Sequence, residues 1–284
     1  MQAIANEKNG IVIAHYHPEG KIPVYMINFI NHARNHYTKD IVLVSTKISI
    51  KSRKSLAPYC KIISRDNFGY DFWSYKIGLE ELQSNCSYDR LLIMNSSFII
   101  IDPEKFLAAV LKRPQTGQLV GLTKSFDFSE HLQSFCILFD GPQVISSEAM
   151  KSWWSDMTPI SDRDEVIQKY EIGMSRHFQS KGFSLVSIYQ PTAREKTMAI
   201  MRAVVQSGTY LAIPDESESC PIDLKQAKTL NPTHFLWDQL FFRYGIVKLD
   251  FIRKSLYGWQ FQSLLQKPDW RSTQVPAIAK DAYY

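Results

Sequence analysis

The 284-residue sequence has little that would place the protein outside the cytosol. Its four cysteines, Cys60, Cys86, Cys136 and Cys220, form no C-x-x-C pair. This spacing predicts reduced thiols, and it argues against a disulfide framework or a zinc site. The N-terminus lacks a basic region followed by an apolar stretch, and the apolar run at Phe98–Ile101 is far too short to span a bilayer. We expect a soluble, cytoplasmic protein, with the inner face of the membrane as the alternative location.

Short nucleotide-binding and hydrolase motifs are also missing. There is no G-x-G-x-x-G, no P-loop, no G-x-S-x-G and no H-E-x-x-H. These absences leave sugar-nucleotide chemistry, which has no universal short motif. The net charge is a mild +5, and the basic cluster at 47–54 is typical of a solvated surface. The alternative is attraction to an anionic membrane or to a diphosphate-linked acceptor. Because the aromatic residues do not alternate with the basic ones, we expect no nucleic-acid partner.

Apolar runs bounded by turns alternate with helical patterns through the first half of the chain. The runs at Ile11–Ala14, Ile41–Val44, Ile62–Ile63 and Leu91–Met94 predict buried strands with helices between them. This alternation indicates an α/β fold with a mostly parallel sheet. Beyond Gly117, two further strands at 119–122 and 135–139 are close in sequence and predict antiparallel additions. A continuous helix from about 161 to 181 and another over 231–242 would make the C-terminal portion helical.

Polar residues follow two of the predicted strands at the point where each strand ends. Arg65–Asp71 comes after the third strand, and Asn95, Ser96 and Ser97 follow the fourth. In an open α/β sheet, ligands bind in the crevice beyond the carboxyl ends of the strands. The sequence therefore predicts a site for a polar ligand, most simply a nucleotide or a sugar, at this edge.

An ordered set of short motifs gives the chain a family resemblance. It resembles the rhamnan synthesis protein F family of bacterial polysaccharide glycosyltransferases, from about residue 11 to 256. The matching segments are the first strand with His15 and Tyr16, Asn67–Asp71, Tyr88-Asp89, Asn95–Ser97, Gly121–Thr123, His131–Phe135, Tyr170–Gly173, Asn231-Pro232, Trp237-Asp238 and Ile246–Lys248.

This resemblance implies a GT-A-like, Rossmann-like domain over residues 1–256, followed by a C-terminal tail over 257–284. A nucleotide-binding half would occupy about 1–115 and an acceptor half about 116–256. The implied activity is transfer of a sugar, such as rhamnose or another deoxyhexose, from a nucleoside-diphosphate sugar to a glycan or lipid-linked glycan acceptor. The product would be a growing surface polysaccharide, such as lipopolysaccharide O-antigen, capsule or rhamnan. The alternative is a catalytically silent nucleotide- or glycan-binding module of an assembly complex.

One position departs from the family pattern. Ser96 stands where the family usually has an Asp that helps to hold a divalent metal against the diphosphate. A serine hydroxyl is a poor ligand for a hard cation. We therefore expect weak or absent metal dependence, and Mg²⁺ or Mn²⁺ remains an alternative cofactor.

Candidate roles follow from position and resemblance together. Glu171 lies in the Tyr-Glu-x-Gly motif on a predicted apolar helix face, and it is the first candidate for the catalytic base, against a structural ion pair as the other interpretation. Asp127 and His131 are alternative bases. Asp71 could instead be a helix N-cap, and Lys248 an ordinary solvated lysine. The residues expected to bind the nucleotide sugar are His15, Tyr16, Asn67, Gly69, Asp71, Asn95, Ser96, Ser97 and Lys248.

Overall fold

The computed structural model of the protein describes residues 7–84, 86–111, 117–126, 128–207 and 231–250, without the side chains of 204–207. The strands are β1 (Asn9–His15), β2 (Ile41–Ser45), β3 (Lys61–Ser64), β4 (Arg90–Asn95), β5 (Phe98–Ile100), β6 (Gln118–Gly121), β7 (Lys124–Ser125), β8 (His131–Leu132), β9 (Cys136–Asp140), β10 (Ser184–Ser187) and β11 (Ile246–Lys248). The helices are α1 (Val24–His36), α2 (Ile50–Leu56), α3 (Tyr70–Gln83), α4 (Pro103–Leu111), α5 (Pro142–Ile145), α6 (Glu148–Ser155), α7 (Arg163–Val166), α8 (Gly173–Ser180), α9 (Ala193–Ser207), α10 (Pro232–Phe235) and α11 (Trp237–Tyr244). A π-helical segment, Ile167–Ile172, joins α7 to α8.

Seven strands form the main sheet in the order β10-β6-β9-β4-β1-β2-β3. Only β9 is antiparallel to its neighbours, β4 and β6; the other pairs in this sheet are parallel. The predicted α/β class with a mostly parallel sheet is therefore confirmed. The two strands predicted as antiparallel additions, β6 and β9, pair antiparallel with each other, and β9 is also antiparallel to β4. Because β9 lies between them, β6 runs in the same direction as β4. Both halves of the predicted domain contribute strands to this one sheet.

Each face of the sheet is covered by its own apolar core, and β1 contributes to both. Ile11 and Ile13 pack into one core with α1, and Val12 and Ala14 pack into the other with α3. All four side chains are fully buried. Because side chains alternate across a strand, a continuous apolar run can fill two cores at once. Burial on both faces fixes the register of β1, which lies between β4 and β2 in the interior of the sheet.

The second half departs from the predicted helices in two places. The helix that Asp162 caps is interrupted by the π-helical segment, which no local sequence pattern predicts. The predicted helix over 231–242 is broken at Leu236, whose φ of −126° lies outside the helical range. β11 then pairs antiparallel with β5 beside the carboxyl end of β4. The predicted tail, 257–284, lies outside the described residues.

Local packing agrees with several smaller expectations. Tyr75, Leu79 and Leu82 form the buried face of α3, as their spacing predicts. Adjacent residues on a helix do not share a face, and of the pair Trp153 and Trp154 on α6 only Trp154 is buried in the core. The three described cysteines are unpaired thiols; Cys220 lies outside the described residues. No helix in the described part of the chain is both long and apolar enough to cross a membrane.

Candidate functional site

Two adjoining cavities lie at the carboxyl edge of the parallel strands. The first has a volume of about 410 Å³ and the second about 610 Å³. Both volumes are in the range of ordinary ligand sites. Tyr70, Asp71, Ser97 and Asp250 line both cavities, so these residues form the boundary between them. Of the predicted site residues, His15, Tyr16, Asn67, Asp71, Ser96 and Ser97 line the first cavity, and Asp71, Asn95, Ser97, His131, Glu171 and Lys248 line the second.

The first cavity opens where the strand order reverses. The chain passes from β3, at one side of β1, to β4 at the other, and ligands of doubly wound sheets bind at such a switch point. Ser96 joins the two strand ends across this gap. Its Oγ accepts a hydrogen bond from the Tyr16 backbone N–H at 3.1 Å and lies 3.4 Å from the Tyr16 carbonyl oxygen. In this structure the Ser96 hydroxyl is therefore engaged in holding the rim of the cavity.

Asn95 organises the boundary between the cavities. Its Nδ2 donates to Asp71 Oδ2 at 2.6 Å, and its Oδ1 accepts from the Ser97 backbone N–H at 3.0 Å. Because a backbone N–H can only donate, this contact fixes which side of the amide carries the oxygen. The two predicted strand-end motifs are thus joined directly by one side chain, and Asp71 is held in place.

The loop before α3 is shaped by backbone conformation and by one arginine. Gly69 adopts φ 68°, and a Cβ there would lie 2.7 Å from the Trp73 Cβ. Tyr70 also has a positive φ, 49°, which is uncommon for a residue with a side chain. Arg65 ties the loop together. Its Nε donates to Ser74 Oγ at 2.9 Å, and its Nη atoms donate to the carbonyl oxygens of residues 66, 68 and 70.

Asp71 is not the N-cap of α3. Gly69 occupies that position, and Asp71 lies in the first turn, where a carboxylate is favoured by the helix dipole. The carboxylate is shielded in the cleft, so desolvation raises the pKa of Asp71 above its ordinary value. The Asn95 hydrogen bond and the charges of Lys248 and Arg65 oppose this shift, and Glu171 adds to it. Gly69 itself shapes the loop and is absent from the lining of either cavity among the described residues.

His15 is placed differently from the prediction that it contacts a nucleotide base. The ring is 2% exposed, with Nδ1 2.8 Å from Ser45 Oγ and Nε2 3.1 Å from the Lys21 carbonyl oxygen. Burial lowers the pKa of His15 to about 4, so the ring is neutral at pH 7. Since both nitrogens already have partners, the geometry favours a role in holding the surrounding loops. Tyr16, which is 55% exposed, is left as the aromatic residue at this strand end.

Lys248 is not an ordinary solvated lysine. Its Nζ donates to Ser97 Oγ at 2.7 Å and lies 4.2 Å from the centroid of the Phe135 ring. Burial lowers the pKa of Lys248 to about 8, against the opposing influence of the Glu171, Asp250 and Asp71 carboxylates. At pH 7 the ammonium group is therefore mostly charged. The ammonium group thus contacts Ser97, one of the residues that form the boundary between the two cavities.

Glu171 lies in the π-helical segment and lines the second cavity. Its Oε1 accepts a hydrogen bond from the Ser134 backbone N–H at 2.8 Å. The extra residue of a π turn changes the direction in which side chains project, and such turns are frequent at functional sites. Glu171 and Ile167 therefore line the cleft, while Met174 is buried in the core. One carboxylate oxygen is oriented by the amide, and the other has no hydrogen bond with the part of the chain that the structure describes.

Of the two alternative bases, only His131 lies among the described residues. His131 is buried and lines the second cavity, with its Nδ1 2.8 Å from the Ser129 carbonyl oxygen. Because a carbonyl oxygen only accepts, Nδ1 carries a hydrogen, and Nε2 of the neutral ring keeps a lone pair. Asp127 lies outside the described residues.

Three cavity residues were given no role by the reasoning from sequence. Arg65 belongs to the predicted polar stretch Arg65–Asp71, and a basic side chain at a strand end was an available signal. Phe128 is 81% exposed with φ 64°, and it lines the second cavity. Asp250 lines both cavities and follows the predicted Lys248 by two residues. The exposure and the positive φ of Phe128 have no signature in the sequence.

The residues present do not make a convincing metal site. Within the described ranges, no group of three or more His, Cys, Asp or Glu side chains could hold a metal ion. The hydroxyl of Ser96 is bonded to the Tyr16 backbone, and one oxygen of Asp71 is bonded to Asn95.

Comparison with known sequences gives one family match and several relatives. The sequence model of the family described as rhamnan synthesis protein F matches residues 41–227. The virulence protein VirA of Vibrio anguillarum is 28% identical over 77% of this chain and 71% of its own length. The uncharacterized protein y4gN of Sinorhizobium fredii is 26% identical over 62% of this chain. The chain spans 47% of the length of that second relative.

Several solved structures superpose on the chain, with low TM-scores. A glucosyl-3-phosphoglycerate synthase from Mycobacterium tuberculosis, solved with uridine diphosphate, is 11% identical with a TM-score of 0.38, covering 78% of this chain and 86% of the synthase. A cytidylyltransferase from Leptospira borgpetersenii is 12% identical with a TM-score of 0.38, covering 70% and 87%. A putative nucleotide-diphospho-sugar transferase from Desulfovibrio desulfuricans is 11% identical with a TM-score of 0.41, covering 64% and 80%.

Proposed function

The chain belongs to the rhamnan synthesis protein F family, and on that premise we propose that it is a glycosyltransferase. It would move a sugar from a nucleoside-diphosphate sugar to a glycan or lipid-linked glycan acceptor of a growing surface polysaccharide. Rhamnose or another deoxyhexose is our choice of donor sugar, on the strength of the family description. The proposed setting is the cytoplasm, at the inner face of the membrane.

The observation that carries the proposal is the pair of cavities that share Asp71 and Ser97. Group transfer between two substrates requires both to be held in contact at the reacting atoms. A binding module needs only one cavity. We assign the first cavity, at the switch point of the sheet, to the nucleotide, and the second to the acceptor. The reacting sugar would then lie at the boundary formed by Asp71, Ser97 and Asn95.

The proposed donor contacts follow from charge. A diphosphate requires positive charge. Lys248, which is hydrogen-bonded to Ser97, would supply this charge at the boundary. The Asp71 carboxylate would repel a phosphate group, so we assign it to a hydroxyl of the ribose or the sugar. Asn67 and Tyr16, which line the first cavity, would contact the nucleoside. In the transition state the leaving diphosphate gains negative charge, so Lys248 would assist the reaction as well as binding.

Transfer to a hydroxyl group also requires a base for the acceptor proton. We propose Glu171, because the Ser134 amide orients one of its oxygens and leaves the other for the acceptor. His131, with Nε2 as an acceptor, is the second candidate in the same cavity. Phe128 would offer an exposed aromatic face to an acceptor sugar ring. Its positive φ is a local strain of the kind that persists at functional sites.

A catalytically silent binding module is the second candidate function, and Ser96 favours it. A transferase that requires a metal would be impaired by a hydroxyl at this position. In our proposal Lys248 provides charge that the metal would otherwise supply, and metal dependence is weak. The two candidates differ in turnover, not in nucleotide binding.

The test is a screen of nucleotide sugars for donor hydrolysis, with and without chelator. The proposal expects slow hydrolysis of one donor, retained to a large extent after chelation, and lost in the Lys248→Met variant. Binding of a nucleoside diphosphate without turnover of any donor or acceptor would favour the silent module. Complete loss of hydrolysis on chelation, restored by Mg²⁺ or Mn²⁺, would contradict the weak metal dependence, and Asp71 would then be the first ligand to examine.

A further inference from the structure

Basic charge is concentrated in one stretch of this nearly balanced chain. Residues 20–65 contain nine Lys and Arg and a single acidic residue, Asp40, while the whole chain is only +5. The rest of the sequence is therefore net acidic. Asymmetry of this kind indicates an interaction with an anionic surface more strongly than the overall charge does.

The fold brings four of these lysines together on two neighbouring segments. The segment after β1 is joined to the start of α2 by hydrogen bonds from the Ser49 N–H to the Gly20 carbonyl at 2.7 Å and from the Ile22 N–H to Ser52 Oγ at 3.2 Å. The side chains of the four lysines, Lys21, Lys47, Lys51 and Lys54, are all exposed. We call these residues, together with Ile50, the basic surface.

Most of the charge on the basic surface is not neutralised. Lys21 pairs with Glu19, and Lys47 donates to the Pro18 carbonyl oxygen, which carries no formal charge. Lys51 and Lys54 have no hydrogen bond or ion pair with the part of the chain that the structure describes. Three lysines therefore keep a positive charge that is available to a partner.

An exposed apolar side chain lies among these lysines. Ile50, the first residue of α2, is 77% exposed, while Ser52 and Leu56 on the opposite side of the helix are buried. Val24, on the neighbouring segment, is 52% exposed. A helix that combines basic residues with an outward apolar residue suits the boundary between lipid headgroups and acyl chains. A soluble polyanion would use the charges and leave Ile50 without a role.

The basic surface adjoins the mouth of the first cavity. Thr46, which lines that cavity, directly precedes Lys47, and Tyr16 lines the same cavity from the loop that contacts α2. Attachment through the basic surface would therefore hold the first cavity beside the membrane and leave its mouth open. We propose that the basic surface docks the protein on an anionic lipid bilayer, with the lysines on the headgroups and Ile50 at the acyl boundary.

Vesicle sedimentation tests this directly, without any sugar nucleotide, so its outcome is independent of the proposed transferase activity. The probes are phosphatidylcholine vesicles with about a quarter phosphatidylglycerol, and pure phosphatidylcholine vesicles. We expect binding to the anionic vesicles only, weakening as salt is raised. Each lysine near an anionic membrane contributes about fivefold, so the double variant Lys51→Gln, Lys54→Gln should bind roughly 30-fold more weakly.

A matched control removes the same charge elsewhere. Lys151, on α6, and Lys181, directly after α8, are exposed. Both helices pack on the opposite face of the sheet from α2, so the Lys151→Gln, Lys181→Gln variant should bind like the parent. Ile50→Ser should lose roughly tenfold while keeping every charge. Equal losses in the two double variants, or no binding by the parent at low salt, would overturn the proposal. If dextran sulfate binds as tightly as vesicles and Ile50→Ser has no effect, the surface serves an acidic polymer and the lipid assignment is wrong.

Discussion

Replacing Lys248 with methionine should separate its charge from its packing. Methionine is close to lysine in side-chain length. The substitution removes the ammonium group, which lies over the Phe135 ring and donates to Ser97 at 2.7 Å. Hydrogen bonds to charged groups contribute about 1.5–3 kcal/mol. We therefore expect the variant to bind a nucleoside diphosphate about 10- to 150-fold more weakly than the parent. The measurement is isothermal titration with UDP, dTDP and GDP in turn, and Lys196→Met, at an exposed lysine on α9, is the control.

The pH dependence of diphosphate affinity provides a second test of the Lys248 charge. With a pKa of about 8, Lys248 is about nine-tenths charged at pH 7 and about one-tenth charged at pH 9. If the charged form binds, diphosphate affinity of the parent should fall about tenfold over that range. The Lys248→Met variant should lack this fall, and Lys196→Met should keep it. A parent whose affinity is constant from pH 7 to 9, or a variant that keeps the parent's affinity, would refute the role of this charge.

The free energy of unfolding should also depend on the protonation of Lys248, and the sign of this dependence can be worked out. The folded pKa lies below the usual 10.5, so between about pH 8 and 10.5 the unfolded chain holds a proton that the folded protein has released. Unfolding free energy therefore receives a contribution that rises with pH across this window and is absent below it. Denaturant melts of the parent and of Lys248→Met should diverge there, and parallel curves would contradict the lowered pKa.

Four further substitutions test the cleft. Asn67→Ala and Asp71→Ala should each weaken diphosphate-sugar binding several-fold or more, and unchanged calorimetric affinity in both would count against the first cavity as the donor site. Gly69→Ala should lower the unfolding free energy by about 1–3 kcal/mol, because an alanine there combines a left-handed φ with a clash, and an unchanged denaturation midpoint would refute the strain. Phe128→Ala should raise the acceptor KM with donor hydrolysis unchanged, whereas Phe242→Ala, an equally drastic change at an exposed site on α11, should alter neither.

The strand-end reasoning brought the predicted side chains to one edge of the sheet because burial and parallel topology leave few alternatives. β1 and β4 are apolar on both faces, so they had to be central, parallel strands whose carboxyl ends share one edge. The contact between Asn95 and Asp71 follows from that placement, although the two residues come from different motifs. The apolar runs therefore located the first cavity before any side-chain geometry was known.

Long-range and conformational features could not be predicted in the same way. Lys248 reaches Ser97, 151 residues earlier, only because β11 pairs with the short strand β5. No local pattern encodes that pairing. The position of Asp71 within α3 depended on Gly69 taking a left-handed φ, which moved the cap two residues earlier. The π turn around Glu171 depends on packing against neighbouring elements, and helical periodicity alone predicted an uninterrupted α-helix.

Sugar transfer by the Glu171→Gln variant tests the central claim most directly. The substitution keeps the size of the side chain and its ability to accept from the Ser134 N–H, so folding should match the parent. Because the Glu171 carboxylate also raises the pKa of Lys248, the rate is measured with the donor at saturating concentration. Glu165→Gln, at an exposed position earlier on the same helix, is the matched control. Removal of a general base costs about 10²–10⁴-fold in rate, and we predict a loss of that size in single-turnover transfer for Glu171→Gln alone. A variant that transfers sugar at the parent's rate would contradict the assignment of the second cavity's base to Glu171.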